Sequence, residues 1–247
     1  MIIAVWGKDG IGKSTLCSAL GSLFAKQQIT IVIDTDLTQP TLPVHINGKP
    51  CNGDSSLGRA ISGIGTNDAT PYLHQHPKQE SLFYAGLTHK NDYLSYEFGL
   101  EADGIAQDFI EQCEDLADWV ILDISGQRTD PFLPGALIHA HTVIIPFTPD
   151  VQGVCWFNAI KPLLENMNAQ GRVLPVAALV NRYHDIQAVE DLADLHFASY
   201  LPFVTELRQV PEIKPIEGTT PTALRYIKQV KKLHGMLKEA KIHEQDI

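Results

Sequence analysis

The sequence predicts an α/β fold: a mostly parallel, twisted sheet of about seven to eight strands with helices on both faces. Apolar, β-rich runs alternate along the chain with amphipathic helical segments, which is typical of strands joined by helical crossovers. These runs are continuously apolar rather than alternating, as expected for strands buried on both faces. A glycine-rich turn also joins the first run to the first helix.

Length and composition allow one sizeable domain. The chain has 247 residues, of which 44% are apolar, so we expect a single domain over residues 1–247 that includes a C-terminal helix at about 220–241. The four cysteines are widely spaced and form no C-x-x-C pair, which favours free thiols in a reducing cytoplasm. No uncharged apolar run approaches the ~18 residues of a membrane span. We therefore expect a cytoplasmic protein.

The first strand and helix frame the glycine-rich turn. The apolar run Ile2–Trp6 predicts the strand. From Leu16 to Phe24, apolar residues recur at helical spacing, which predicts an amphipathic helix. Between them, Gly7–Ser14 matches the pattern G-x-x-x-x-G-K-[ST]. Strand, turn and helix therefore follow the order that a phosphate-binding loop requires.

The residue types of this loop suit a polyphosphate. Glycines let the backbone curl until several N–H groups point inward, where a Cβ would obstruct the curl or the phosphate. Lys13 would reach the β- and γ-phosphates, Ser14 would offer its hydroxyl to Mg²⁺, and the helix N-terminus adds partial positive charge. A glycine-rich turn can match by chance, but the flanking elements favour function. The predicted nucleotide-binding residues here are Gly7, Lys8, Asp9, Gly10, Ile11, Gly12, Lys13, Ser14 and Thr15.

Two further strands end in carboxylates. The run Ile29–Ile33 stops at Asp34-Thr35-Asp36, and Trp119–Leu122 stops at Asp123. Ligands of open α/β sheets bind at the carboxyl ends of the strands, so these carboxylates fit partners of the loop that hold Mg²⁺. Gly126 suits a backbone that must approach a γ-phosphate closely. Each Asp also has an ordinary explanation, as a turn residue or a helix cap.

The remaining elements alternate in type. Residues 41–69 are predicted to be mostly loop, and a late loop is predicted around Val210, Pro211 and Pro215. Predicted strands are Tyr72–His74, Ser81–Ala85, Thr142–Phe147, Arg172–Val180 and Tyr200–Phe203. Predicted helices are Ser56–Ser62, Gly104–Ala117, Leu133–Ala140, Val151–Ala169, Ile186–Phe197 and a last one that starts at Thr220-Pro221.

These landmarks carry a family resemblance. A second lysine, Lys8, follows the first glycine of the loop, and this resembles the deviant Walker A motif of the ParA/MinD group of ATPases, relatives of the nitrogenase iron protein. The segments IVIDTD and VILDISG resemble that group's switch I and switch II. Later segments resemble its subsequent strand and its base-proximal region, namely VIIPFTPDVQGV, ALVNRY and YLPFVTELRQVPE. The matches span most of the chain in the right order.

The resemblance implies roles for individual residues. Lys8 would cross a face-to-face dimer to touch the partner's ATP, and Lys13 and Asp36 would be the other catalytic residues, Asp36 orienting the attacking water. Ser14, Asp34 and Asp123 would surround Mg²⁺. Among the residues implied around the nucleotide, Gly126 lies near the γ-phosphate and the base side comprises Asn181, Arg182 and Pro202.

The sequence also departs from the family pattern. Asp9 stands where the family usually has glycine, and Ser18 stands where relatives often have asparagine. A carboxylate beside polyphosphate is unfavourable unless it points away or pairs with a base, so both departures indicate a divergent, slow hydrolase. The segment Arg182–Asp185 lacks the lysine of the guanine signature Asn-Lys-x-Asp, which favours ATP over GTP.

The implied function is Mg²⁺-dependent ATP hydrolysis coupled to dimerisation. ATP would close a homodimer, a protein partner would stimulate slow turnover, and the cycle would position or segregate a cargo such as DNA, the division site, or a pilus or secretion machine. Two alternatives stay open. One is an ATP-dependent ligase or kinase resembling dethiobiotin synthetase, with a substrate pocket near residues 41–90, against which Lys8 argues. The other is a nucleotide-binding module with little hydrolysis, which Asp9 favours.

The charge is uneven along the chain. The formal net charge of −10 argues against a surface that coats nucleic acid, yet residues from Arg225 to Ile247 include six basic and three acidic ones. An apolar stripe accompanies them at Leu224, Ile227, Val230, Leu233, Leu237 and Ala240. Such a helix could contact DNA or a membrane surface, placing the protein peripherally at the nucleoid or membrane. Because it has Gly235 and lacks Trp and Phe, packing on the sheet is the favoured interpretation.

Overall fold

Eight strands form one sheet in the part of the chain that the computed structural model describes, which is residues 1–38, 41–46, 53–88, 96, 98–167, 169–206 and 220–245. The strands are β1 Ile2–Trp6, β2 Thr30–Asp34, β3 His74–Gln75, β4 Leu82–Ala85, β5 Trp119–Ile124, β6 Thr142–Phe147, β7 Val173–Val180 and β8 Ser199–Pro202. Their spatial order is β3-β4-β2-β5-β1-β6-β7-β8. All neighbouring pairs are parallel except β3 with β4.

Helices connect these strands. They are α1 Lys13–Phe24, α2 Leu42–His45, α3 Leu57–Ile61, α4 Ala102–Leu116, α5 Phe132–His139, α6 Val151–Asn166, α7 Ile186–Ala193 and α8 Pro221–Gln245. Short 3-10 turns lie at Gly53–Ser55, Thr70–Tyr72 and Gln170–Arg172. The predicted α/β fold with a mostly parallel sheet is therefore confirmed.

Each face of the sheet carries its own core. Successive side chains of a strand point to opposite faces, and β1 shows this directly. Ile2, Ala4 and Trp6 pack with α3 to α7 on one face, whereas Ile3 and Val5 pack with α1, α2 and α8 on the other. All five side chains are buried. Both faces are thus covered by helices, as the continuous apolar runs predict.

Several element boundaries differ from the prediction for local reasons. Helix α7 ends at Ala193 rather than Phe197 because Asp194 adopts a left-handed φ of 51°. A 3-10 turn covers Tyr72, so β3 begins only at His74. Helix α2 lies inside the predicted loop; it has four residues, too few to show a helical period in the sequence. The predicted loop around Val210 lies outside the described residues.

The C-terminal helix α8 packs on the sheet through Val230, Leu233 and Leu237 of its apolar stripe, whereas Leu224, predicted to belong to the same stripe, is 55% exposed. Its buried side chains are Ala223, Tyr226, Val230, Leu233 and Leu237, and they belong to the core shared with α1. Three lysines on α8 also hydrogen-bond to the rest of the domain, since Lys232 donates to Ala198 O, Lys238 to Gln27 Oε1 and Lys241 to Asp118 O. This supports the packed interpretation of the stripe. None of the described helices combines the length and apolarity needed to cross a membrane.

Candidate functional site

A cavity of about 340 Å³ opens at the carboxyl ends of the parallel strands. The loop between β1 and α1 forms one end, and residues at the carboxyl ends of β7 and β8, together with Tyr226 of α8, form the other. Its lining is Asp9, Gly10, Ile11, Gly12, Lys13, Ser14, Thr15, Asp34, Asp36, Thr41, Asp123, Ile124, Ser125, Leu179, Leu201, Pro202, Phe203, Val204 and Tyr226. This is the position at which open α/β sheets bind ligands.

The glycines of the loop are needed at their positions. Gly10 and Gly12 have φ values of 77° and 91°, in the left-handed region that residues with a Cβ rarely adopt. Gly7 is buried, and a Cβ there would lie 2.6 Å from Pro146 O. The loop can therefore curl against β6 only with glycine at these three positions.

Lys13 is held at the centre of the loop. Its side chain is 8% exposed, and its ammonium donates to Lys8 O at 3.0 Å and to Asp9 Oδ1 at 3.1 Å. The same Asp9 oxygen accepts the Gly126 N–H at 3.0 Å. Asp9 thereby joins the phosphate loop to the segment that follows β5.

The two carboxylates predicted to bind metal lie side by side. Asp34 and Asp123 are register partners on the adjacent parallel strands β2 and β5, and both are buried. Desolvation first, and the neighbouring Asp34 second, raise the pKa of Asp123, while a hydrogen bond with Ser14 acts in the opposite direction. Ser14, Asp34 and Asp123 are therefore brought together.

This arrangement fits a divalent cation. Two buried carboxylates repel each other and lose hydration, and a cation beside them relieves both costs. Carboxylate and hydroxyl oxygens are the hard ligands that Mg²⁺ prefers. Mg²⁺ is usually bound by one or two carboxylates together with water and substrate phosphate, so Ser14, Asp34 and Asp123 would be the protein ligands here. Within the described ranges, no group of three His, Cys, Asp or Glu residues could hold a metal. Bound there, Mg²⁺ would neutralise charge on the phosphates.

Asp34 has two further partners that the sequence analysis missed. The Thr41 hydroxyl donates to Asp34 Oδ2, and His45 Nε2 lies 3.5 Å from the same oxygen. His45 is buried and stacks on Tyr84 with ring centroids 4.9 Å apart. Both partners come from α2 and its N-terminus, a segment predicted to be loop, so no signal in the sequence tied them to Asp34.

Asp36 both lines the cavity and organises a turn. Its N–H donates to Asp34 Oδ1 at 3.1 Å. Its own Oδ1 accepts the Thr38 N–H at 2.9 Å and the Thr38 hydroxyl at 2.5 Å. The turn chemistry and the position in the cavity lining, which the sequence offers as alternatives, are therefore combined in one residue.

A buried carboxylate links the segments after β2 and β5. Thr35 Oγ1 lies 2.5 Å from Asp130 Oδ2 and 3.2 Å from Asp123 O. The Ser125 N–H donates to Asp130 Oδ2 at 3.0 Å, and the Phe132 N–H donates to Asp130 Oδ1 at 2.9 Å. Burial raises the pKa of Asp130 to about 7, against these hydrogen bonds. Asp130 is not predicted from the sequence because it lies in a turn beyond the strand end.

The far end of the cavity is apolar. Leu179, Leu201, Phe203, Val204 and Tyr226 line it together with the predicted Pro202. Leu179 has a φ of 55° at an irregularity in the pairing of β7 with β8. This left-handed residue changes the direction of the backbone at the end of β7 beside the cavity. The apolar sequence of β7 does not predict it.

Five predicted residues stand outside this lining, namely Gly7, Lys8, Gly126, Asn181 and Arg182. Asn181 is exposed, and its Oδ1 accepts the Tyr183 N–H at 2.9 Å. The Arg182 guanidinium lies 4.8 Å from the centroid of the Tyr183 ring. Lys8 is exposed and contributes its carbonyl to Lys13 rather than its side chain to the cavity. Their roles toward the base and toward a second subunit stay predictions.

Solved structures resemble the whole chain. A plasmid partition protein of Borrelia burgdorferi bound to AMPPNP has a TM-score of 0.77 at 18% identity, with 96% of this chain and 98% of that chain covered. The cell division ATPase MinD of Pyrococcus furiosus has a TM-score of 0.74 at 16% identity, with 95% and 98% covered. The septum site-determining protein MinD of Pyrococcus horikoshii, complexed with Mg-ADP, has 0.74 at 16%, with 97% and 98% covered.

Comparisons of sequence alone find no relative of this chain. A scan against protein-family models finds no match, and a search of curated proteins finds no similar sequence. At these identities the structural likeness concerns the arrangement of strands and helices. The chain therefore has the fold of the MinD and ParA ATPases, which confirms at the level of the fold the resemblance carried by its motifs.

Proposed function

We propose that the protein is a Mg²⁺-dependent ATPase of the ParA/MinD type. The observation that carries the proposal is the convergence of Lys13, Ser14, Asp34 and Asp123 at one end of a cavity whose other end is apolar. A nucleoside triphosphate suits a cavity with these two ends, because its phosphates require cations and N–H donors and its base requires apolar walls. ADP would be the bound product.

The proposed residue roles follow from position. Lys13 binds the β- and γ-phosphates, and the loop N–H groups surround them. Asp36 lines the cavity beside Asp34 and orients the attacking water. The Gly126 N–H, which is bound to Asp9 in this structure, is the proposed donor for the γ-phosphate. At the apolar end of the cavity, Pro202 and its apolar neighbours flank the nucleotide base. Asn181 and Arg182, which directly follow β7 in the chain, are the other residues proposed on the base side.

Hydrolysis is proposed to require a second copy of the chain. Lys8 is exposed and would neutralise charge on the transferring phosphoryl group of the partner subunit. A cation supplied in this way stabilises the transition state only when two loaded subunits meet. Turnover is then slow in the monomer and stimulated by whatever favours the closed dimer, including a protein activator.

The dimer cycle would serve to position or segregate a cargo, as the names of the similar structures suggest for those proteins. DNA, the division site, and pilus or secretion machinery are the proposed classes of cargo, and the protein would act in the cytoplasm or peripherally at membrane or nucleoid. Because Val230, Leu233 and Leu237 of the stripe are buried, a DNA or membrane contact through α8 would rest mainly on its lysines.

An ATP-dependent ligase or kinase of the dethiobiotin synthetase type is the alternative. It would use the same loop but transfer phosphate to a small acid bound near residues 41–90. The exposed Lys8 favours the dimer over this alternative. Product analysis separates them, since the ATPase releases inorganic phosphate alone and the ligase or kinase yields a phosphorylated or cyclised small molecule. A third candidate, a nucleotide-binding module with little hydrolysis, would fail to release phosphate in a single-turnover assay.

The test of the proposed dimer compares two variants by light scattering and phosphate release. We expect Asp36→Ala to bind ATP and accumulate as a dimer, because the nucleotide is held but not hydrolysed. We expect Lys8→Ala to bind ATP with turnover reduced at least ~100-fold, the scale of losing one transition-state cation. Unchanged turnover in Lys8→Ala would rule out the face-to-face dimer.

A further inference from the structure

The two groups proposed to donate to the γ-phosphate, the Lys13 ammonium and the Gly126 N–H, both bind a carboxylate of the chain itself in this structure. Asp9 Oδ1 lies 3.1 Å from the Lys13 ammonium and 3.0 Å from the Gly126 N–H. A cation from the phosphate loop and an N–H from the segment after β5 thus converge on one anionic oxygen. These are the two groups that the proposed function assigns to the γ-phosphate.

We propose that Asp9 is an internal substitute for the γ-phosphate, so that ATP has to displace its carboxylate whereas ADP does not. The inference rests on the proposed function and concerns the regulation of the same site. It makes Asp9 the residue that sets the preference between ADP and ATP.

The chemistry of the contact supports a substitute. Carboxylate and phosphate oxygens are both anionic acceptors of charge-assisted hydrogen bonds. Lys13 is 8% exposed, and a nearly buried ammonium needs an anionic partner when no phosphate is present. Asp9 supplies that partner from within the same loop.

The side chain of Asp9 is also able to leave. It is 72% exposed, so rotating it into water breaks no packing in the core. The carboxylate can therefore leave into water, while a phosphate takes its place beside the nearly buried Lys13 ammonium. A γ-phosphate placed between Lys13 and Gly126 would repel a carboxylate that stayed there, because two anions would share the same donors.

The contact with Asp9 requires glycine at position 126, just as the close approach of a phosphate would. A Cβ at position 126 would lie 2.5 Å from Asp9 Oδ1 and 2.8 Å from Asp9 Cγ. Glycine is thus what lets the carboxylate reach the backbone N–H. With Asp9 in place, the segment after β5 is held against the phosphate loop before ATP arrives.

Two consequences follow for the cycle. ATP binding is weakened relative to ADP by the cost of breaking the Asp9 contacts, which corresponds to about threefold to tenfold in relative affinity. The freed Asp9 side chain then projects toward solvent beside Lys8. Dimer closure should therefore require a higher ATP concentration than it would without the carboxylate.

The experiment measures dissociation constants for ADP and AMPPNP with Mg²⁺ by calorimetry on the full chain. The variants are Asp9→Asn and Asp9→Gly, and the matched control is Asp115→Asn, an exposed aspartate at the C-terminal end of α4 next to the amino end of β5. We expect both Asp9 variants to shift the affinity ratio toward AMPPNP by about threefold to tenfold. The control should keep the wild-type ratio.

An unchanged ratio in both Asp9 variants, with nucleotides still bound, overturns the inference and leaves the proposed function standing. Failure of the wild type to bind either nucleotide overturns the proposed function and the inference with it. Light scattering gives a second readout: Asp9→Asn should form dimers at a lower AMPPNP concentration than wild type. Loss of the dimer in that variant would instead make Asp9 a contact to the partner subunit, against the proposal.

Discussion

Asp34 and Asp123 face each other as register partners on adjacent parallel strands, both buried. Two like charges taken out of water raise the free energy of the folded state unless a cation joins them. The pair thus favours binding of a cation but lowers the free energy of unfolding of the protein without one. We expect Asp123→Asn to raise the free energy of unfolding of the nucleotide-free protein by about 1 kcal/mol.

The same variant should lose the thermal stabilisation that Mg²⁺ provides in the presence of ADP. Thermal unfolding with ADP, in the presence and absence of Mg²⁺, measures this. Wild type is expected to melt at a higher temperature with Mg-ADP than with ADP alone, and Asp123→Asn should show little difference between the two. A Mg²⁺ effect of equal size in both proteins would place the metal elsewhere.

Asp130 predicts a pH dependence of stability. Its pKa is raised from 3.8 to about 7 by burial, so the folded state binds the proton more tightly than the unfolded state. The free energy of unfolding contributed by this group is therefore full below about pH 4 and is lost as pH rises toward 7. Thr35 has one hydroxyl proton and two acceptors in reach, so a proton on Asp130 also completes the hydrogen bonding.

The variant Asp130→Asn tests this assignment. Asparagine keeps one acceptor oxygen but places an NH₂ group against an N–H donor, so stability near pH 5 should fall by about 1–3 kcal/mol. Between pH 5 and 8 the variant should change less than wild type, because the titrating group is gone. Urea unfolding at several pH values measures both effects, and identical pH slopes in the two proteins would contradict the assignment.

Leu179 allows a test of the apolar end of the cavity. Its φ of 55° costs a residue with a Cβ about 1 kcal/mol relative to glycine. We expect Leu179→Gly to be more stable than Leu179→Ala by about that amount. Both variants should bind ATP several-fold more weakly, since both remove the wall beside the base. Nucleotide affinity equal to wild type would show that the base lies elsewhere.

The terminal helix α8 offers a matched pair. Leu233 is fully buried, whereas Leu224 on the same helix is 55% exposed. Leu233→Ala should lower the free energy of unfolding by about 2–5 kcal/mol, and Leu224→Ala by less than about 1 kcal/mol. Equal, small effects in chemical denaturation would mean that Leu233 does not belong to the core. ATP-dependent capture by liposomes, lost on truncation near Tyr226, would support the membrane interpretation instead.

The sequence predicts the fold well because its signals are local and repeated. The run Thr142–Phe147 becomes β6 with the predicted bounds, and Gly7–Ser14 becomes the loop between β1 and α1. The pairing of β3 with β4 is not foreseen, since a two-residue strand has no period of its own.

The site is predicted only in part, for a physical reason. Asp34 and Asp123 follow from strand ends, because parallel strands bring their carboxyl ends to one edge. Asp130, Thr41 and His45 depend on how loops fold back onto that edge, which apolar periodicity does not encode. Asp9 is visible as a departure from the family pattern, but its contact with Gly126 requires the structure.

Nucleotide binding at Gly7–Ser14 is measured by calorimetric titration of Mg-AMPPNP into wild type, Lys13→Ala and Lys26→Ala. Lys26 is exposed just beyond the C-terminal end of α1 and controls for the lost charge. We predict that wild type and Lys26→Ala bind alike, while Lys13→Ala binds at least ~10-fold more weakly because the phosphates lose a nearly buried cation. Equal affinity of Lys13→Ala and wild type would contradict binding of the nucleotide phosphates at this loop.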